Sequence, residues 1–100
     1  MRLPIFVLIL TSLFLFRPVL ASSDDAWAAL DKASASACIS ASGFLKAKVS
    51  APTRFSDALG YDVRFVSGTY PQKHMKGAKG QMLCLYARKT KIVEVQELAK

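Results

Sequence analysis

An apolar segment close to the N-terminus limits what this chain can fold into. Arg2 precedes a nearly continuous apolar run from Ile5 to Phe16, and small residues follow before Ser22. A positive charge, ~7–15 apolar residues and small residues at the cleavage point are typical of a secretory signal peptide. A membrane-spanning helix needs ~20 apolar residues, and Arg17 shortens this run, so an uncleaved anchor is the alternative interpretation. The sequence predicts a cleaved signal over residues 1–21.

The expected mature chain, residues 22–100, has room for a single domain and has a basic charge balance. The whole chain has 14 Lys and Arg, 7 Asp and Glu and a formal net charge of +7. Loss of Arg2 and Arg17 with the signal leaves 12 basic residues against 7 acidic ones, a net charge of about +5. Such a charge favours anionic partners or serves solubility alone. We expect a periplasmic or secreted protein that has no membrane anchor once the signal is cleaved.

Cys38 and Cys84 are the two cysteines of the chain. An even number of cysteines in an exported chain predicts a disulfide, and a domain of this size has a core that gains from such a crosslink. Neither cysteine has another cysteine or a histidine at the spacing of a metal site, and there is no Cys-x-x-Cys pair. A structural disulfide is therefore predicted, with no metal site and no cofactor.

Residues 22–42 have the features of one helix. Ser22 or Ser23 is suited to cap its N-terminus, and Gly43 is suited to the left-handed conformation that ends many helices. Phe44 is then placed to pack back beyond the cap. One stripe at helical spacing collects these residues: Trp27, Leu30, Ser34, Ala37, Cys38, Ala41 and Leu45. Because Cys38 lies in this stripe, Cys84 is expected on the surface that the helix covers.

The remainder of the chain alternates with the period of two that is typical of strands. Strands are predicted over residues 45–49, 61–69, 81–88 and 92–97, and Pro52 ends the first. Residues 54–60 are either a continued strand with a hairpin or one helical turn. The sequence predicts an α+β fold in which one N-terminal helix packs on an antiparallel meander of three or four strands, joined to it by the disulfide.

Two details of these strands concern the faces of the sheet. In the second strand, Tyr61, Val63 and Phe65 face opposite to Asp62 and Arg64. The strand over residues 81–88 is apolar on both faces, which is typical of a central strand.

Residues 70–80 form an expected loop (loop 70–80), because they contain a proline and two glycines. This loop has the candidate anion- or partner-binding residues Lys73, His74, Lys76 and Lys79, and we expect it to be exposed and mobile. A second basic group comprises Arg88, Lys89 and Lys91, at the opposite end of the strands. Because two separate basic groups do not make one continuous face, nucleic acid is not favoured as a partner.

A set of short motifs resembles small uncharacterised periplasmic and secreted proteins of proteobacteria. The resemblance covers roughly residues 24–97 and rests on Gly68-Thr69-Tyr70, Met75-Lys76-Gly77, the run from Gly80 to Thr90, and Val93-Glu94-Val95. Such proteins have no established activity, so the resemblance implies an exported protein with a disulfide and implies nothing about catalysis.

The function that these observations favour is a non-enzymatic binding module of the cell envelope, whose partner is a protein or an anionic polymer. One alternative is a small secreted hydrolase or effector that uses His74, the one histidine of the chain. General acid–base catalysis needs a second titrating group beside that histidine, and its neighbours in sequence are lysines. A further alternative is a periplasmic copper carrier that uses His74, Met75 and Met82 as soft ligands.

Overall fold

A computed structural model describes residues 23–98, and the predicted signal peptide lies outside this range. Within this range one α-helix and five strands follow one another: α1 (Asp24–Ser42), β1 (Leu45–Val49), β2 (Thr53–Arg54), β3 (Tyr61–Thr69), β4 (Lys79–Ala87) and β5 (Val93–Glu97). The helix packs on one face of the antiparallel sheet. The predicted α+β fold is confirmed.

The sheet is a meander with one interrupted edge. Its order is β1–β3–β4–β5, and β2 also pairs with β3. β1 pairs with the second half of β3 and β2 with its first half, so the two short strands form one edge that breaks at Pro52. The ambiguous residues 54–60 begin in β2 and continue in a turn, in which the Ser56 carbonyl accepts hydrogen bonds from Leu59 and Gly60 at 3.0 and 2.7 Å.

Both predicted ends of α1 are confirmed. The Ser23 hydroxyl accepts a hydrogen bond from the Ala26 N–H at 3.1 Å, so it satisfies one of the donors that a helix N-terminus leaves free. Gly43 follows the last helical residue with a φ of 70°, where a side chain would be strained. The left-handed turn directs Phe44 back under the helix, and this ring is 8% exposed.

The buried stripe of α1 differs from the predicted one near the C-terminus. Ser34, Cys38 and Ser42 are buried, while Ala41 and Leu45 are exposed. Ser42, and not Ala41, takes the last buried position of the stripe. Its hydroxyl donates to the Ile39 carbonyl at 2.8 Å and accepts from the Phe44 N–H at 3.2 Å, so it is satisfied when buried. The buried residues of the stripe are therefore all small, and this allows the helix to approach the sheet closely.

The disulfide between Cys38 and Cys84 joins the helix to β4, as predicted. The two Cα atoms are 5.8 Å apart, within the usual range for a disulfide, and both residues are completely buried. Phe44 and Val66 complete the buried apolar cluster around the bond. The centre of the core is thus a covalent bond between the two layers.

The helix-facing side of β3 is charged. Asp62 is fully buried and Arg64 is 5% exposed, whereas Tyr61 and Phe65, on the other face, are 39% and 46% exposed. The two sets do face opposite directions, and the charged set is the one beneath α1. Buried charges require partners, because desolvation of an unpaired ion costs several kcal/mol.

Asp62 obtains its partners from β2 and from the end of β4. Its carboxylate accepts from Arg54 at 2.9 and 3.0 Å and from Arg88 at 2.7 Å. Burial favours the neutral acid, but the hydrogen bonds from Arg54 and Arg88 outweigh it and hold the pKa of Asp62 below its ordinary value. Arg54 also pairs with Asp31 of α1 and lies over the Trp27 ring at 4.5 Å. This network attaches the first half of α1 to the sheet.

Arg64 is bound mainly by neutral acceptors. Its guanidinium donates to the Ser34 hydroxyl at 2.9 and 3.1 Å, to the Asp31 carbonyl at 3.0 Å and to the Ser50 carbonyl at 2.8 Å. Among residues 23–98, no carboxylate forms an ion pair with it. Arg64 therefore links α1, β3 and the break in the edge strand by hydrogen-bond geometry.

Candidate functional site

Among residues 23–98, no helix covers the face of the sheet opposite α1, and we call this face the open face. Side chains at odd positions of β3 and β4 point to this face, because paired residues of antiparallel strands share a face. Tyr61, Phe65 and Leu85 are 37–46% exposed there, and Val63 and Leu83 are half-buried beside them. These five residues form an apolar strip. An exposed apolar surface of this kind often marks an interaction site.

Three lysines gather at one end of the open face. Lys46 and Lys48 belong to β1, and Lys79 is the first residue of β4. Together with Ser67 and Thr69 of β3, they line a shallow depression of about 310 Å³. We call Lys46, Lys48 and Lys79 the basic corner. Within the described range, none of these lysines forms an ion pair.

Strand register explains why these lysines meet. Lys48 pairs with Ser67, and Thr69 pairs with Lys79, so all four side chains lie on the open face. Lys46 has a φ of 53°, and the register of β1 shifts between Leu45 and Lys48, which is the pattern of a β-bulge. A bulge re-aims the side chain of its extra residue. Lys46 thereby reaches the depression as well.

The opposite edge of the open face is acidic and amide-bearing. Glu94 and Gln96 of β5 line a second shallow depression with Leu83 and Leu85. The open face thus runs from the basic corner across the apolar strip to Glu94. A ligand that lies along it encounters cations, apolar side chains and one carboxylate in that order.

The predicted binding residues of loop 70–80, Lys73, His74, Lys76 and Lys79, are all exposed. The segment Lys73–Met75 forms a 3₁₀ helix, and Tyr70 N–H donates to the Ala78 carbonyl at 2.9 Å, so the hairpin continues into the loop. Lys79 belongs to β4 and the basic corner. His74 lies in a different depression, and Lys73 and Lys76 are exposed.

His74 lies near Tyr70, Gln72, Met75 and Glu97. Desolvation and the neighbouring Glu97 carboxylate raise the pKa of the Tyr70 phenol. Among residues 23–98, His74 forms no side-chain hydrogen bond, and no three His, Cys, Asp or Glu residues are grouped as metal ligands. Met82, the third proposed copper ligand, packs against the buried cluster around the disulfide.

The second basic group predicted from the sequence is smaller than expected, because Arg88 is occupied. Its guanidinium donates to Asp62 at 2.7 Å and to Asp57 at 3.0 Å, as well as to the carbonyls of Tyr61 and Phe55 at 3.0 and 2.9 Å. Arg88 is therefore a structural residue. Lys89 and Lys91 remain exposed in the β4–β5 turn.

Sequence reasoning missed Lys46 and Lys48 as site residues. Their alternation with Ala47 and Val49 indicated the solvent side of a strand, and nothing local showed which other strand would lie beside it. What makes Lys46 and Lys48 part of the site is the pairing of β1 with β3, which joins residues about twenty positions apart in the sequence.

In the part of the chain that the structure describes, no helix has the length and apolar character needed to cross a membrane. Comparison with known proteins finds no matching family model, no matching curated relative and no matching solved structure.

Proposed function

We propose that this chain is an exported, non-enzymatic binding module that holds an anionic segment of a partner protein of the cell envelope on its open face. The observation that supports this most is the juxtaposition of the basic corner with the apolar strip. Within residues 23–98 the three lysines form no ion pair, and they line the same depression as Ser67 and Thr69. Exposed Phe65 lies two residues before Ser67 on β3.

A protein segment suits this surface better than a purely polar polymer. Anionic groups would be bound at the basic corner, where three like charges lie close together and attract negative charge. Apolar side chains beside those groups would cover Phe65, Leu83 and Leu85, which a polysaccharide would leave exposed. The burial of that apolar area contributes ~25 cal/mol per Å². An extended peptide with acidic residues followed by apolar ones supplies both features.

Export is part of the same proposal. The apolar N-terminal segment, the small residues before Ser22 and the buried Cys38–Cys84 disulfide all suit an oxidising compartment. The resemblance to periplasmic proteins of proteobacteria agrees with this. Intact-mass measurement of the chain recovered from the envelope of an expressing bacterium is expected to show a protein that begins at Ser22. A mass that retains residues 1–21 would contradict cleavage.

Paired charge reversals test the binding surface. The variant Lys48→Glu with Lys79→Glu changes the basic corner at two exposed strand positions. The control variant Lys32→Glu with Lys89→Glu makes the same change in net charge at an exposed helix position and an exposed turn. Binding is measured by fluorescence anisotropy with a labelled peptide that has four glutamates followed by alternating leucine and serine.

The corner variant is expected to weaken peptide binding at least tenfold, and the control variant by less than threefold, because only the corner contacts the anionic groups. The affinity of the native protein should fall as salt is added. A third variant, Lys73→Glu with Lys76→Glu, tests loop 70–80 separately. Equal weakening by the corner and control variants would show attraction by net charge alone and would overturn the assignment of the open face. Tight binding of polyglutamate without leucine would favour an anionic polymer.

A further inference from the structure

The two edges of the sheet differ in whether they can accept another strand. The edge made of β1 and β2 contains a bulge at Lys46, a break at Pro52 and two lysines, which are features that block edge-to-edge pairing. β5 pairs with β4 along one side, and among residues 23–98 no strand pairs with its other side. β5 is therefore the one regular, unpaired edge of the described structure.

The hydrogen bonds of β5 show which of its backbone groups point outward. The Leu98 N–H donates to the Gln81 carbonyl at 3.1 Å, and the Ala87 N–H donates to the Ile92 carbonyl at 2.9 Å. In an antiparallel pair, every second residue uses both backbone groups toward the same neighbour. Even-numbered residues from 92 to 98 therefore face β4. The N–H and C=O groups of Val93, Val95 and Glu97 point away from the sheet.

We infer that a second copy of this chain pairs with this edge, β5 against β5 in antiparallel orientation, with the two-fold axis at Val95. In this register Val95 lies opposite itself, and Val93 lies opposite Glu97 of the second copy. All six outward backbone groups then find partners. A register centred on Glu94 would place two carboxylates opposite each other, and one centred on Gln96 would leave the groups of Val93 unpaired within residues 23–98.

Side chains on the open face support the same register. Ile92 and Leu98, the residues directly before and after β5, are 65% and 36% exposed. They lie three residues on either side of Val95. Ile92 of one copy therefore lies opposite Leu98 of the other copy, and each side chain covers the other. Glu94 lies opposite Gln96. Both are non-hydrogen-bonded pairs, in which side chains are closest.

This pairing goes beyond the proposed binding function and needs no partner protein. It joins two meanders into one continuous sheet, with both helices on the same side and both open faces on the other. The contact is short, and interfaces well below about 800 Å² per partner form weak complexes. We therefore expect a dimer whose population rises with protein concentration.

Complementary variants test the register. Ile92→Lys and Leu98→Glu are prepared separately in the full chain, and each is recovered from an expressing cell as the native protein is. Each variant disrupts both copies of the Ile92–Leu98 pair in a homodimer. Sedimentation velocity is expected to show that either variant alone raises the dimer dissociation constant about tenfold or more. An equimolar mixture is expected to recover dimer, because the introduced lysine then lies opposite the introduced glutamate and the other pair is native.

Leu59→Glu is the matched control, since Leu59 is 61% exposed on the turn before β3 and lies outside β5. It should leave the dissociation constant within twofold of the native value. Circular dichroism checks that each variant is folded. A native protein that stays monomeric at every concentration would overturn the inference, and so would a dimer that Ile92→Lys and Leu98→Glu leave intact. A mixture that fails to recover dimer would place the interface elsewhere and overturn it equally.

Discussion

Gly68 and Gly80 lie directly opposite each other on β3 and β4, and two aromatic rings occupy the space that their β-carbons would fill. A β-carbon at Gly68 would lie 2.5 Å from Cβ of Phe44, and one at Gly80 would lie 2.5 Å from the Tyr70 ring. The two rings meet edge to face, with centroids 5.0 Å apart. This arrangement closes the end of the core next to loop 70–80.

Replacement of Gly80 by Ala should therefore displace Tyr70. We expect the free energy of unfolding to fall by about 1–3 kcal/mol, the usual cost of overpacking. The companion variant Tyr70→Leu gives the added methyl group room. In a double-mutant cycle measured by urea unfolding, the two changes together should cost less than their sum by ~0.5 kcal/mol or more. Strict additivity would show that Gly80 serves some purpose other than the packing of Tyr70.

Asp62→Asn should be the most damaging conservative change in the sheet. It removes the carboxylate from between Arg54 and Arg88 and leaves two guanidinium groups in a partly desolvated site. Breaking a buried ion pair in this way costs about 3–5 kcal/mol. Thermal unfolding at neutral pH measures the loss. Asp24→Asn, at an exposed position in the first helical turn, is the control and should change stability by less than about 1 kcal/mol.

The same carboxylate predicts the response of the fold to acid. The pKa of Asp62 is lower in the folded protein than in the unfolded chain, so the folded state holds the proton less tightly. The stabilisation is fully present above the unfolded pKa of about 4 and is lost as the pH falls through the lower folded value. Urea unfolding of the native protein should therefore show stability that decreases below pH ~4. The decrease should be smaller in Asp62→Asn; an identical decrease would assign acid sensitivity to other groups.

Ser34→Ala tests how Arg64 is accommodated under the helix. The change removes the hydroxyl that accepts two hydrogen bonds from the buried guanidinium, and no neighbouring carboxylate within residues 23–98 replaces it. We expect a loss of about 1–3 kcal/mol in the free energy of unfolding. Ser36→Ala, at an exposed position of the same helix, should be neutral or slightly stabilising because alanine has the higher helix propensity. Similar results for the two variants would contradict the role of Ser34.

Reduction of the Cys38–Cys84 bond should destabilise the protein without any substitution. The bond joins residues 46 positions apart, and a crosslink of that span contributes about 4 kcal/mol by restricting the unfolded chain. Urea unfolding with and without dithiothreitol measures the difference. Because both thiols are consumed in the bond, non-reduced protein should not react with a thiol reagent, even after it is unfolded in urea. Labelling of native protein before reduction would contradict a complete disulfide.

Local signals in the sequence were sufficient to predict where most of the helices and strands begin and end. Ser23 and Gly43 mark the ends of α1 because capping depends on residues three or four positions away. Alternation predicted β1 and β3 with their observed limits. β4 begins two residues earlier than expected, since Gly80, which suggested a loop, is opposite Gly68 within the sheet. That shift moved Lys79 from the loop into the basic corner.

Which face of β3 is buried could not be predicted from alternation alone. An apolar set of Tyr61, Val63 and Phe65 against a charged set of Asp62 and Arg64 favours burial of the apolar set. The charged set is buried because Arg54, Arg88 and Ser34 supply partners from three other parts of the chain. The hydrogen-bond partners of a side chain depend on the tertiary arrangement, and a two-residue period contains no information about them.

The position of the disulfide also orders the events of synthesis. Cys38 leaves the ribosome with the helix, long before Cys84, and β4 must be made before the small polar stripe of α1 has a surface to cover. In the exported chain proposed above, Cys38 would enter the oxidising compartment before Cys84 and would be open to an external oxidant during that interval. Attack of the Cys38 thiolate on the disulfide of a thiol–disulfide oxidoreductase would form a mixed disulfide and release one enzyme thiolate, and attack of the Cys84 thiolate on the Cys38 sulfur would then form the Cys38–Cys84 bond and release the second enzyme thiolate. Formation of the disulfide would then wait until β4, the fourth of the five strands in residues 23–98, has been made.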